Sequence, residues 1–366
     1  MTSDKNKPGQ KTKAGQKSKA RKITGIAFSF ILTGIFLYIA FYGVRFRDVM
    51  GIVEKARWLW VVVLVGSLLL SHFLRAVRWK VILSSVKKDT SLTNLFGSLM
   101  VGYGVNCVIP RLGEVSRAVL LGRWEGLSGT SMFGTVIVER VIDIVSFILA
   151  LLISVFIYNG NLYESFPWLK SSLYLASVFM AGVIVFLFLV IRFKEKFYSI
   201  ILKLVSRMSP KTAQKLADIF NMLIEGFASL KGVRNIILTV LLTAAIILVY
   251  ALNSYLGFLC LGMQNMKDVG FSTAWVLMAI SSLGVIIPTP GGTGSYHVIT
   301  QTALVLLFGF TSEMGLAYAV LNHAVSTIVF IVSALFFFFY LNYRNSKKSG
   351  KKEKLVSFIE TNMDSL

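Results

Sequence analysis

The sequence predicts an all-α fold: a polytopic transmembrane helical bundle of about six full spans plus two re-entrant hairpins broken by proline and glycine. Three observations carry that expectation. First, 55% of the 366 residues are hydrophobic and only 15% are charged, where a soluble domain carries about 25% charged residues; the mean hydropathy is +0.71. Second, the apolar residues gather in runs of roughly twenty, the length an α-helix needs to cross a hydrocarbon core. Those runs lack the in/out alternation of barrel strands, and in lipid only helices or closed barrels satisfy their own backbone groups. Third, the basic residues that give a net charge of +21 lie in tails and loops between the runs. The positive-inside rule produces that distribution. With no compact polar domain to present a reading surface, the charge does not point to nucleic acid.

Taken in order, residues 1–22 hold eight Lys/Arg and little apolar surface, so they are expected to form a disordered cytoplasmic tail. The run 23–44 is too long for a cleaved signal peptide and reads as a signal anchor. Further apolar segments follow at 58–74, 92–110, 130–158, 171–191, 235–260, 271–287, 293–309 and 314–343. Trp58, Trp60, Tyr158, Trp168, Tyr340 and Tyr343 stand near their ends, where amphipathic rings suit the headgroup zone. Within 192–234, two runs of helical period separated by Ser209-Pro210 predict a cytoplasmic amphipathic hairpin, one face apolar and the other basic. A basic tail, 344–366, closes the chain.

If 92–110 with the charged stretch after it forms a hairpin from the cytoplasmic side, and 271–309 one from outside, 31 of the 38 Lys/Arg fall on the cytoplasmic side. That asymmetry predicts a multi-pass protein of the cell membrane with both termini cytoplasmic. A fully spanning 271–309 pair leaves the same loop charges, so eight or more spans satisfies the count equally.

Two stretches break the helical rules at membrane depth. One runs from Gly102 through Asn106, Pro110, Arg111, Gly113 and Glu114 to Arg117; the other runs from Gly284 through Pro288, Pro290, Gly291, Gly292 and Gly294 to His297. Proline removes a backbone donor and glycine loosens the chain, so a helix should end at each. Non-helical backbone survives in a bilayer only where protein or a wet cavity covers it. Paired interrupted segments are a sequence pointer to a transport site, and if these enter from opposite faces their tips should meet. Charges cluster at the same place: Arg111, Glu114 and Arg117 recur at i, i+3, i+6, and Glu139, Arg140 and Asp143 occupy one arc of the next span. Such charges must face one another or a wet cavity. They serve either as ion pairs that fix helix register or as guanidinium groups that grip a phosphate bidentately, with backbone N–H groups near Pro290 adding an anion nest. His323, Asn106 and Asn322 read as packing or interhelical hydrogen-bonding residues.

The series Asn106-x3-Pro110-Arg111-x-Gly113-Glu114-x2-Arg117, then Glu139-Arg140-x2-Asp143, then Pro290-Gly291-Gly292-x-Gly294, resembles the flippase-like membrane domain of lysylphosphatidylglycerol synthases across most of 20–343. The resemblance implies an integral membrane lipid translocator that moves an anionic or aminoacylated phospholipid, or a lipid-linked headgroup, between leaflets. Its headgroup site would comprise Asn106, Pro110, Arg111, Gly113, Glu114, Arg117, Glu139, Arg140, Asp143, Pro290, Gly291, Gly292, Gly294 and His297. Two departures matter. The full synthases continue into a soluble aminoacyl-transfer domain, whereas this chain ends 23 residues after its final apolar run, so no lysine transfer is expected. Many relatives carry an acidic residue just after Gly-Gly-x-Gly, where this chain has Tyr296-His297.

No cofactor or metal is expected: Cys107 and Cys260 lack ligand spacing, His72, His297 and His323 form no paired-histidine motif, and no Walker A sequence occurs. The expected partners are a membrane phospholipid or lipid-linked substrate and, through the basic tails, an anionic lipid surface. A lipid-modifying enzyme docked on the 197–230 hairpin and self-association remain open. The competing functional class is a membrane-embedded enzyme, or an accessory subunit, of lipid or lipid-linked sugar modification, with the intramembrane carboxylates as acid or base.

Overall fold

The computed structural model describes residues 8–349 except 85, 159, 161 and 193–231. The expected amphipathic hairpin at 197–230 therefore lies outside the described residues, as do most of the two tails. All regular structure among the described residues is helical. Six long helices correspond to the six expected full spans: α1 (Pro8–Phe41), α3 (Trp58–Leu83), α6 (Gly129–Ile157), α8 (Pro167–Arg192), α9 (Val233–Leu261) and α12 (Ser312–Ser349). Five of these contain windows long and apolar enough to cross a membrane, and α8 adds 26 residues of similar character. Two shorter helices, α2 (Phe46–Val53) and α7 (Leu162–Ser165), fill connections.

The four remaining helices pair into the two broken hairpins: α4 (Leu92–Val108) with α5 (Leu112–Glu125), and α10 (Phe271–Ile286) with α11 (Ser295–Phe308). Their legs have 17, 14, 16 and 14 residues. At 1.5 Å per residue they reach about 21–26 Å, short of a hydrocarbon core about 30 Å thick. Local chemistry sets their ends: the Ser91 hydroxyl accepts from Asn94 N–H at the start of α4, and Gly126, at φ 67°, closes α5 in the left-handed region that glycine adopts at little cost.

Close backbone approach holds each hairpin together. A Cβ on Gly113 would collide with the carbonyl oxygen of Gly102, and one on Gly284 would lie 2.8–2.9 Å from the backbone of Ser295 and Tyr296. Small residues at such crossings drive helix association in lipid, where exclusion of apolar surface from water does not operate. Hairpin 1 packs its α4 leg on α12 and its α5 leg on α6; hairpin 2 is clasped by α9, α12 and α1. The two tips touch: a Cβ on Gly291 would lie 3.4 Å from Cα of Cys107. Gly294 packs against Thr33 and Phe36 of α1.

Helix α1 begins at Pro8, so its bounds take in residues 8–22 together with the first expected span. A helix already nucleated in an apolar run extends at small cost into residues such as Lys, Gln and Ala. Helix α12 likewise runs on to Ser349. Arg75 and Arg78, which lie beyond the expected end of the apolar segment 58–74, are inside α3 and are 3% and 0% exposed. Their pairing with carboxylates, described next, permits that placement.

Candidate functional site

Helices α3, α5 and α6 converge with one charged face each. Arg75 and Arg78 are one turn apart on α3, Glu114 and Arg117 on α5, and Glu139, Arg140 and Asp143 share an arc of α6. Glu139 is fully buried and bridges two helices: Arg117 Nη1 donates to its Oε2 at 2.5 Å and Arg78 Nη2 to its Oε1 at 3.3 Å. Asp143 does the same for α3, taking Arg78 Nη2 on Oδ1 at 2.5 Å and Arg75 Nη2 on Oδ2 at 2.6 Å. The Nη1 groups of the α3 arginines reach α9, Arg75 donating to Tyr250 Oη at 3.2 Å and Arg78 to Thr243 Oγ1 at 3.1 Å, while the Nε of each is buried without a hydrogen-bond partner among the described residues. Arg140, 40% exposed at its side chain, stands 3.7 Å from Glu114 and 3.9 Å from Asp143.

Within this cluster four guanidinium groups face three carboxylates, so the interior carries one positive charge in excess. Arg117 is the least satisfied member. Its plane lies over the Trp79 ring, 4.8 Å from the centroid, and Trp79 is held by its own Nε1–H donation to Thr135 Oγ1 at 3.0 Å. With Nη1 committed to Glu139, Nε and Nη2 are buried without a hydrogen-bond partner among the described residues. Those two nitrogens form one edge of the guanidinium, the edge that matches an oxyanion bidentately. A buried donor without a partner costs about 1–3 kcal/mol.

Arg117 also lines a recess with Tyr103, Asn106, Gly113, Glu114 and Arg140. The recess measures about 190 Å³ with its mouth included, below the ~300–1,000 Å³ usual for a small-molecule pocket. Asn106 shapes one wall. Its Oδ1 accepts from Gly113 N–H at 2.7 Å and its Nδ2 donates to Glu114 Oε2 at 3.3 Å, so one side chain caps the start of α5 and orients a site carboxylate.

Of the sequence-predicted residues, Asn106, Gly113, Glu114, Arg117, Glu139, Arg140 and Asp143 are thus brought together. Arg111 is not. It does not continue the helical i, i+3, i+6 series with Glu114 and Arg117, because it precedes α5 as its N-cap at φ 66°, a left-handed conformation. Its side chain is exposed at the tip beside Pro110 and makes no ion pair among the described residues.

Pro290, Gly291, Gly292, Gly294 and His297 form the tip of hairpin 2. None of them bonds to the charge cluster among the described residues. Hydroxyls and imidazoles tie this tip instead. Ser295 Oγ donates to Gly284 O at 2.6 Å and lies 3.1 Å from Thr289 Oγ1. Gly294 N–H donates to His297 Nδ1 at 3.2 Å, and His323 Nε2 lies 3.1 Å from Gly291 O. The two imidazole centroids are 4.8 Å apart. His323 is thus part of the tip and not only a packing residue on α12.

The sequence reading missed Arg75, Arg78 and Trp79. A readable signal was there: Ser67, Ser71, Arg75 and Arg78 recur at steps of four, four and three, one polar stripe along an otherwise apolar helix, and all four are buried.

Known proteins match this chain in sequence. Residues 23–334 match the family described as the lysylphosphatidylglycerol synthase TM region. A UPF0104 membrane protein of Methanothermobacter thermautotrophicus is 28% identical over 235 residues, 60% of this chain and 67% of the relative. Another, from Methanocaldococcus jannaschii, is 25% identical over 299 residues, 78% of this chain and 85% of the relative. The matched span contains every helix from α2 to α11, both broken hairpins and the whole arginine–carboxylate cluster. This membrane protein belongs to the family of the lysylphosphatidylglycerol synthase transmembrane region.

Proposed function

We propose that this protein translocates a phospholipid or lipid-linked molecule with an anionic headgroup, and that the headgroup phosphate docks on Arg117. The observation that carries this reading is the excess of one guanidinium in a buried cluster, together with the Nε–Nη2 edge of Arg117, which has no partner among the described residues. An incoming phosphodiester supplies both the missing charge and the missing acceptors. Arg140, half-exposed beside the recess, and Arg111 at the tip form the approach. Glu114, held by Asn106, orients Arg140 or meets a cationic group on an aminoacylated headgroup. The acyl tails stay in lipid while the headgroup crosses.

The recess is too small for a phospholipid headgroup, so passage requires hairpin 1 to move away from α6. The pairs that must loosen are Arg117–Glu139 and Arg140–Glu114. A phosphate on Arg117 competes for the same guanidinium and so favours that loosening. The charge asymmetry of the loops supports a cell-membrane location with both termini cytoplasmic, an orientation in which the basic tails would meet anionic lipid.

The test is a leaflet-resolved assay in proteoliposomes, with fluorescent phosphatidylglycerol and phosphatidylcholine analogues and a membrane-impermeant quencher. Wild type should move the anionic analogue faster. Arg117→Ala should abolish the movement, and Arg111→Ala should slow it. Equal rates for wild type and Arg117→Ala would sink the assignment.

A further inference from the structure

The translocation reading gives no role to His72 of α3, which is 4% exposed and stands one turn from Arg75. Its ring lies 4.4 Å from that of Tyr103, a residue of the recess, and 5.0 Å from Phe330 of α12; Tyr103 and Phe330 stack at 4.9 Å. Its Nδ1 is buried without a hydrogen-bond partner among the described residues. A histidine that served only to pack would ordinarily have both ring nitrogens satisfied, because a buried unpaired polar atom costs free energy.

Each element packed around this imidazole can be named. On its own helix stands Arg75, whose guanidinium also lies 6.0 Å from the Tyr103 ring. From α4 comes the Tyr103 phenol and from α12 the Phe330 ring. From α9, Tyr250 meets Arg75, and from α6, Asp143 takes Arg75 Nη2. No carboxylate contacts the imidazole among the described residues. With the cluster already one positive charge in excess, a proton on His72 would add a second. A bound phosphodiester removes that obstacle, because its charge cancels the existing excess.

We propose that His72 is a proton-binding site linked to the anion site, so that the protein takes up an anionic headgroup together with a proton from bulk water. The inference rests on the reading of Arg117 as the phosphate site. Thermodynamic reciprocity fixes its sign: if the anion favours the proton, the proton favours the anion by the same factor. Binding therefore tightens as pH falls through the histidine range.

The experiment uses the full chain in phosphatidylcholine nanodiscs, titrated with a fluorescent phosphatidylglycerol analogue between about pH 5 and 8. The phosphodiester of that probe stays monoanionic throughout, so the slope reports the protein. Wild-type affinity should rise on acidification, approaching about tenfold per pH unit, the limit for one linked proton. His72→Gln and His72→Phe should both flatten the slope while retaining binding. A slope that persists in both His72 variants overturns the proposal. So does a flat wild-type profile when Arg117→Ala still weakens binding. Binding that Arg117→Ala does not weaken sinks the anion-site reading itself.

Discussion

The two broken hairpins are built alike and equipped differently. In each, two helices cross at positions eleven residues apart, Gly102 with Gly113 and Gly284 with Ser295. In each, a side chain satisfies a backbone N–H where the second leg begins, Asn106 for Gly113 and His297 for Gly294. Yet the second leg of hairpin 1 carries Glu114 and Arg117 into an ion network, whereas hairpin 2 is fastened by hydroxyls, imidazoles and backbone. The difference teaches that the shared construction solves a geometric problem, turning a chain at membrane depth, and the charges are an addition specific to hairpin 1. Substitutions can separate the two contributions.

The largest effect is expected at the charge network. Glu139→Ala leaves Arg117 and Arg78 buried without their common acceptor, and stranding a buried charge costs about 3–5 kcal/mol. Thermal unfolding in detergent should show a large loss of stability, while no single hydroxyl substitution at hairpin 2 should match it. A Ser295→Ala loss as great would erase the energetic contrast between the hairpins.

Next come the crossings. Gly113→Ala and Gly284→Ala each force backbones apart, and overpacking of this kind costs about 1–3 kcal/mol. Similar losses in both would establish the common construction; a loss confined to Gly113 would mean that hairpin 2 can relax along α1. The caps follow. Asn106→Ala and His297→Ala each free a backbone N–H, and losing a helix cap costs about 0.5–2 kcal/mol. Asn106→Ala should also reduce anionic-lipid transport, because Glu114 loses its orienting donor. The smallest effect is Arg111→Gly, which relieves a left-handed residue and should stabilise hairpin 1 by up to about 1 kcal/mol, with slower transport. A destabilised Arg111→Gly protein would show that the exposed guanidinium has a structural role.

Much of this contrast was legible in the residues. Proline and glycine at membrane depth located both tips, and the spacing of Glu139, Arg140 and Asp143 placed three charges on one face. The α3 arginines escaped because hydropathy ends a span at its first charge, and a paired charge inside a bundle looks the same as a charge at the water boundary. What marks Arg75 and Arg78 as interior is the serine stripe leading to them, a pattern of helix face and not of hydropathy. Arg111 was misplaced for the opposite reason: spacing assumes a continuous helix, and Pro110 shifts the helix start by one residue. The partner of each guanidinium depends on how four helices are arranged in space, which no local pattern encodes.

The contact between Gly102 and Gly113 has a mechanical consequence. Two helices whose backbones touch cannot slide or splay without separating, so hairpin 1 behaves as a single stiff lever. At its base Glu125 accepts from Lys87, Ser91 and Asn94, while Arg344 and Asn345 of α12 bond to the same Asn94. A lever pinned there pivots at its base and sweeps its tip through the widest arc. A small loosening at Arg117 is thereby amplified toward Cys107, which lies against Gly291 at the tip of the other hairpin.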